Sequence, residues 1–225
     1  MTQNNSTTNQ KIAVLGTGIV GQTIAKKLVE LGYLVTMGSR TANNDKAVNF
    51  TSTNKNAQNG TFEDVVKSSD IIFNCTAGNI SLEVLKFAGL ENFKNKILID
   101  ISNPLDFSNG FPPTLSICND NSIAQEIQKL LPDCFVVKAL NTMNCDIMVN
   151  PSSINNGDHN TFIAGNDENS KSKVIELLNE FGWSSENIID LGDITNAIGL
   201  EMYLPLWLRI FGATKTGAFN IKIVK

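Results

Sequence analysis

Six residues, Gly16-Thr17-Gly18-Ile19-Val20-Gly21, narrow the architectures open to this 225-residue chain at once. They follow the apolar run 11–15 directly and open a stretch, 18–31, in which Val20, Ile24, Leu28 and Leu31 recur at helical spacing. A strand, a G-x-G-x-x-G turn and a helix in that order form the first βα unit of a dinucleotide-binding sheet. Gly16 permits the tight turn. Gly18 has no Cβ, so a pyrophosphate can approach the backbone, and Gly21 lets helix and strand pack closely. The unpaired N–H groups and partial positive charge of the helix N-terminus attract the phosphates.

Around this loop the chain alternates short apolar runs with helical patterns. Gly32 stands where a helix C-cap glycine belongs, and 33–37 follows as a second strand. Thr61 with Asp64 three residues on has the form of a helix N-cap ahead of Val65-Val66. Further strands are expected at 71–75, 97–101 and 134–140, with helices at 81–87 and 122–131. The Asn/Thr/Ser-rich stretch 41–60 shows no period to assign. This alternation of near-continuously apolar strands with helices predicts an α/β fold, a Rossmann-type doubly wound parallel sheet covered on both faces, over 11–140. Residues 1–10, polar and uncharged, read as a disordered tail. From 141 the character changes: a loop-like region to 160, a strand at 161–164, a helix at 171–181, a strand at 188–191 and a helix at 197–211 kinked near Pro205. The expectation is a small C-terminal α+β lobe, 141–225, for substrate and dimerisation.

Composition removes several functions. Hydrophobic residues make up 42% of the chain, enough to fill a core, so disorder is excluded as a global description. Eighteen Lys+Arg against 22 Asp+Glu give a net charge of -4 without a basic cluster, which argues against nucleic-acid binding. Four irregularly spaced cysteines and a lone histidine, His159, leave little with which to build a zinc ribbon, a CxxC pair or a Ser-His-Asp triad. The polar start lacks a signal-peptide core, and the longest apolar stretch near the end is broken by Glu201, Pro205 and Arg209. The reading is a reduced, cytoplasmic protein without a membrane partner.

The end of the second strand selects the dinucleotide. An NAD site commonly places Asp or Glu there to accept from the ribose hydroxyl. Here Ser39-Arg40 stands in that place, a hydroxyl followed by a planar fork of charged donors suited to phosphate. NADP(H) is the dinucleotide inferred. At later strand ends lie Thr76-Ala77-Gly78, Ser102-Asn103-Pro104 and Asn141-Thr142. Two readings of these residues stand side by side: room and hydrogen bonds for a nicotinamide, or ordinary turn chemistry. Lys138 reads as a buried catalytic amine or as a lysine that snorkels or pairs with an acid, and Asp100 as a substrate-orienting group or a loop acceptor. Trp207 and Phe211, with Trp183, form an aromatic wall for a planar ligand or else pack a core or dimer face. His159, in the polar run 157–160, reads as surface. Carbonyl reduction needs a positioned proton donor, usually His, Lys or Tyr. Hydride exchange between a nicotinamide and a flavin-like ring needs mainly close parallel stacking, which suits a chain poor in such donors.

The glycine loop, Gly38-Ser39-Arg40, Val137-Lys-Ala-Leu-Asn141-Thr142, Ala164-Gly165-Asn166-Asp167 and Ala218-Phe-Asn-Ile-Lys222 together resemble the deazaflavin (coenzyme F-420)-dependent NADP oxidoreductases, from about residue 11 to the C-terminus. The cytosolic domains of six-transmembrane ferric reductases, which pass hydride to a flavin, are similar too. The resemblance implies a Rossmann domain with a small C-terminal lobe, usually dimeric. Thr17, Gly18, Ile19 and Val20 would line the pyrophosphate, Ser39 and Arg40 the 2′-phosphate, and Asn141 and Thr142 the nicotinamide. The final helix, with Trp207, and the Gly212–Gly217 turn would shape the pocket of a deazaflavin or flavin second substrate. The chain departs from the family where a basic residue often follows the Ser-Arg pair (Asn43-Asn44 here, with Lys46 nearby). It departs again where a histidine is expected and Asn141 stands, and at Thr76-Ala77-Gly78, which lacks the proline and bulky aromatic of archaeal members. The function expected is hydride transfer between NADP(H) and a deazaflavin or flavin-type acceptor. The alternatives are a non-catalytic NADP(H)-sensing module and a reductase of a small imine or hydroxy acid.

Overall fold

The computed structural model describes residues 10–224; the tail assigned to 1–10 lies, but for Gln10, outside the described residues. Strands β1 (Lys11–Leu15), β2 (Leu34–Ser39), β3 (Ala57–Thr61), β4 (Ile71–Asn74) and β5 (Ile97–Asp100) come first along the chain. A short hairpin of β6 (Leu105–Asp106) and β7 (Thr114–Leu115) follows, then β8 (Phe135–Ala139), β9 (Thr161–Gly165) and β10 (Ile188–Asp190). Eight of these form one sheet in the order β10-β9-β8-β5-β4-β1-β2-β3. From β8 to β3 every pairing is parallel. The chain thus runs outward from β1 in both directions, and the switch point falls between β1 and β4.

The strands are apolar throughout because both faces are covered. On β1, Ile12 and Val14 join one core cluster and Ala13 and Leu15 the other, as the two-residue period of a strand requires. The first cluster takes Ile24 and Leu28 of α1 (Ile19–Glu30) and Phe50 of α2 (Asp45–Thr53). The second takes Val65 of α3 (Phe62–Lys67), Leu85 of α4 (Gly78–Phe87) and Ile127 of α5 (Ile123–Leu130). After β8, α6 (Cys145–Val149) and α7 (Glu168–Phe181) return to the first face, α7 through Val174, Leu177 and Phe181. The chain then finishes with α8 (Ala197–Met202) and α9 (Leu204–Thr214).

Local signals explain the element ends. Gly32 closes α1 with φ +92°, its successor Tyr33 donating an N–H to the Leu28 carbonyl. Thr61 and Asp64 form a capping box at α3. The single kinked helix expected over 197–211 is two helices, with Pro205 in the first turn of α9, where its missing N–H costs nothing.

Three expectations need correction. The unassigned stretch 41–60 holds α2 and the edge strand β3; the latter's sequence, AQNGT, has no apolar alternation, and of its residues Gly60 alone is buried. Over 11–140 the sheet is parallel as expected, but the strands after 141 do not stand apart from it: β9 runs antiparallel to β8, with Val137 opposite Gly165, and β10 is parallel to β9. The strands after residue 141 therefore extend the first sheet. His159 is buried, not superficial. Its ring stands edge-on to Trp183 at 5.0 Å, with Nε2 2.9 Å from the Pro151 carbonyl and Nδ1 2.8 Å from the Asn220 side chain.

Candidate active site

The three glycines of the loop each meet a different steric demand. Gly16 adopts φ +109°, and a Cβ there would stand 2.9 Å from the Cys75 carbonyl oxygen at the end of β4. Around Gly18, the N-cap of α1, the space is open, and no side chain caps the helix. A Cβ on Gly21 would lie 2.1 Å from the Gly16 carbonyl oxygen. The turn is thus locked by close backbone contacts at both ends and left bare at its centre, with the first N–H groups of α1 uncovered. Ile19, the first residue of α1, is 77% exposed beside this opening. The cradle fits a pyrophosphate.

At the end of β2, Ser39 is buried and its hydroxyl donates to the Thr41 carbonyl at 2.7 Å. Arg40 is exposed and enters none of the ion pairs found among the described residues. The Gly16 N–H donates to the Gly38 carbonyl at 3.1 Å, so the strand end that carries Ser39 and Arg40 is tied to the glycine turn.

A cleft of about 380 Å³ continues from the loop across the carboxyl ends of β4 and β5. One wall is Val20 and the segment Cys75–Asn79, which includes Thr76 and Ala77; the other is Ile101, Ser102, Asn103, Leu105 and Phe107. The walls meet at Gly78, where a Cβ would be 2.2 Å from the Asn103 carbonyl oxygen. Among the described residues the one titratable side chain lining the cleft is Cys75, and burial pushes its thiol well above the ordinary cysteine range. A second concavity, about 400 Å³, lies at the opposite, amino-terminal edge of the sheet among Leu90, Phe93, Leu131 and Cys134, far from the glycine loop.

Under the cleft runs a buried polar network. Asn74 donates to Asp100 Oδ1 at 2.8 Å and to the Ser81 hydroxyl at 2.6 Å, and it accepts from the Thr76 hydroxyl at 2.7 Å. Ser102 donates its hydroxyl to Asp100 Oδ1 at 2.7 Å. Lys138, fully buried, pairs with Asp100 and with Glu201 of α8, each at 2.8 Å, and donates to the Ser102 carbonyl. Glu201 also accepts from the first N–H groups of α5, at Ile123 (2.7 Å) and Ala124 (3.1 Å). Burial alone would lower the Lys138 ammonium, but the two carboxylates outweigh it and hold it above the usual lysine range. Burial pushes the Glu201 carboxyl up against the pull of Lys138. Of the two readings of Lys138 the structure supports the paired one: its three donors are spent inside the fold.

The end of β8 is strained. Leu140, a buried leucine, sits at φ +61°, a conformation that costs roughly 1–2 kcal/mol for a residue with a side chain. The reversal aims Asn141 at the neighbouring loop, where it donates to Asn103 Oδ1 (2.9 Å) and the Leu200 carbonyl (3.1 Å) and accepts from Asn103 through its own carbonyl (2.9 Å). Its Oδ1 is buried and has no partner among the described residues. Thr142 is buried beside it. Nothing in the apolar run 134–140 signalled the reversal at Leu140. Glu201 carries no local signal either: in the sequence it is only a charge that interrupts an apolar stretch.

Trp207 does not line this cleft. It lies between Phe211 (ring centroids 5.6 Å apart) and Phe219 (5.1 Å) in an aromatic stack, its Nε1 buried without an acceptor among the described residues. The C-terminal segment is pinned alongside by Asn220 on the Asn160 carbonyl (2.9 Å) and by Gly217 against Asn144. Among the described residues no group of His, Cys, Asp and Glu could hold a metal ion, and no helix is long and apolar enough to cross a membrane.

A doubly wound sheet, a glycine cradle at its switch point and a phosphate-suited strand end define a dinucleotide-binding oxidoreductase fold. The family model for coenzyme F420-dependent NADP oxidoreductases matches residues 11–104. The crystal structure of a proposed F420-dependent NADP reductase from Arthrobacter sp. FB24 superimposes with a TM-score of 0.92 at 44% identity, covering 96% of this chain and 100% of that one. This chain belongs to the F420-dependent NADP oxidoreductase family. It is also 28% identical over 225 residues to the F420-dependent NADP reductase of Methanocaldococcus jannaschii, covering 95% of this chain and 97% of that protein. It is 27% identical over 201 residues to rat metalloreductase STEAP3, of whose length it spans 38%. A reductive aminase from Aspergillus terreus, in complex with NADPH and ethyl levulinate, shares the fold at 18% identity and a TM-score of 0.65.

Proposed function

We propose that this protein transfers a hydride between NADP(H) and a planar deazaflavin or flavin-type acceptor. Bound NADPH supplies the hydride and leaves as NADP+, and the reduced acceptor gains that hydride together with a proton from solvent. Thr17, Gly18, Ile19 and Val20 hold the pyrophosphate at the α1 N-terminus, and Arg40 and Ser39 take the 2′-phosphate. For Ser39 this means turning its hydroxyl from the Thr41 carbonyl. Thr76, Ala77 and Asn141 flank the nicotinamide half, with the unpartnered Oδ1 of Asn141 free to accept an amide N–H. Thr142, and Trp207 from the aromatic stack, belong to the acceptor side.

The observation that carries this reading is the cleft's chemistry. Its lining offers amides and hydroxyls but no acid, base or cation beyond a thiol held neutral. A carbonyl or imine substrate would need a proton donor there, whereas a conjugated ring can take a hydride first and a solvent proton afterwards. Exposed Met202, Leu206 and Phe211 on α8 and α9 support a homodimer through that face.

The test is NADPH oxidation by the purified protein with FMN, riboflavin or a deazaflavin, beside a panel of ketones and cyclic imines. Turnover with the rings alone is expected. Turnover with imines or oxo acids alone, or tight NADPH binding with no turnover at all, overturns the reading in favour of a small-molecule reductase or a sensing module.

A further inference from the structure

The hairpin β6–β7 is an insertion between β5 and α5 whose tip bears two exposed phenylalanines, Phe107 (57% exposed) and Phe111 (61%). They differ in one respect: Phe107 lines the cleft and Phe111 does not. We propose that Phe107 is the acceptor's stacking platform, so that this hairpin, which no motif of the glycine loop predicts, determines specificity for the second substrate. The inference rests on the hydride-transfer reading above and deepens it.

Three observations converge. First, the position of Phe107 is built. The Phe107 carbonyl accepts the Gly110 N–H at 2.9 Å, closing a turn that Gly110 completes at φ +88°, and Asp106 Oδ1 accepts the Ser108 N–H at 2.9 Å. At the hairpin base the Pro104 carbonyl accepts the Ser116 N–H at 2.8 Å. The turn fixes the backbone that carries the ring, which lowers the ordering cost of meeting a ligand. Second, more than half of its surface faces solvent although it borders a cleft, so it gains apolar burial when a flat partner enters. Third, the polar groups nearby, Thr76, Ser102 and Asn103, are neutral donors and acceptors. Among the described residues no cation lines the cleft to hold a charged tail. The recognised element is thus the ring itself.

Two variants and two flavins test this. Binding of riboflavin or FMN in the presence of NADP+ is followed by flavin fluorescence, and NADPH oxidation supplies KM for each flavin. Phe107→Ala is expected to weaken flavin binding and raise its KM by about tenfold, while NADP+ affinity and Tm stay unchanged; Phe107→Tyr retains wild-type values. Riboflavin is expected to bind as well as FMN. Unchanged flavin binding in Phe107→Ala, an equal loss of NADP+ binding, or FMN binding without riboflavin binding would each overturn the platform while leaving the hydride-transfer reading intact. Wild-type protein that neither binds nor reduces either flavin or a deazaflavin overturns both.

Discussion

Gly21 and Gly16 stand so close that a methyl group on the first would be 2.1 Å from the carbonyl oxygen of the second, while nothing lies within 4 Å of a Cβ on Gly18. The same motif therefore contains a packing glycine and an access glycine. Gly21→Ala forces β1 and α1 apart and should cost about 1–3 kcal/mol of stability, seen as a lower urea midpoint. Gly18→Ala should keep the wild-type midpoint yet weaken NADPH binding at least about tenfold, because its new methyl occupies the space the pyrophosphate needs. Equal midpoints for the two variants would refute the distinction.

Arg40 is exposed, so Arg40→Asp should leave folding stability within about 0.5 kcal/mol of wild type. Loss of a charge-assisted contact to the 2′-phosphate is worth about 1.5–3 kcal/mol, roughly a ten- to hundredfold weaker NADPH complex. NADH binding should not weaken. Isothermal titration with both dinucleotides checks this, and a parallel loss of NADH binding would place Arg40 outside the phosphate site.

The Lys138 ammonium neutralises two carboxylates inside the fold. Lys138→Met leaves Asp100 and Glu201 buried and unpaired and should cost about 3–5 kcal/mol. Adding Asp100→Asn and Glu201→Gln should recover part of the loss, since the remaining groups are neutral, although the glutamine can accept from only one of the two α5 N–H groups that Glu201 holds. A triple variant no more stable than Lys138→Met would show that the charges are not the cause.

Alkaline pH should destabilise the protein. Burial holds the Cys134 thiol up to about 12, and raises the Tyr33 phenol and, more strongly still, the Cys75 thiol; Glu180 adds to the effect on Tyr33. Lys138 is raised by its two carboxylates. In each case the folded chain keeps a proton that the unfolded chain gives up at its ordinary pKa, so stability is complete below about pH 8.5 and falls as pH rises beyond it. Urea midpoints between pH 7 and 11 should decline monotonically above that point; a flat profile would contradict the burial of these groups.

Size-exclusion chromatography with light scattering should find a dimer. Leu206→Glu, which places a charge in the exposed apolar face of α8 and α9, should shift it to monomer without lowering NADPH affinity.

The elements proposed to carry the cofactor are legible because their signals are local. A G-x-G-x-x-G between an apolar run and a 3.6-residue period, a Thr61/Asp64 cap and a Ser-Arg pair at a strand end are each set by steric and hydrogen-bonding needs within a few residues. The edge strand β3, the antiparallel entry of β9, the burial of His159, the left-handed turn at Leu140 and the Asp100–Lys138–Glu201 triad left no such trace. Each depends on partners tens of residues away along the chain, up to the 78 that separate Glu201 from Ile123, whose approach is decided by which sheet edge is free and which buried groups need partners. Short-range chemistry thus wrote the dinucleotide cradle into the sequence, whereas the wall and floor of the cleft exist only once distant strand ends are brought together.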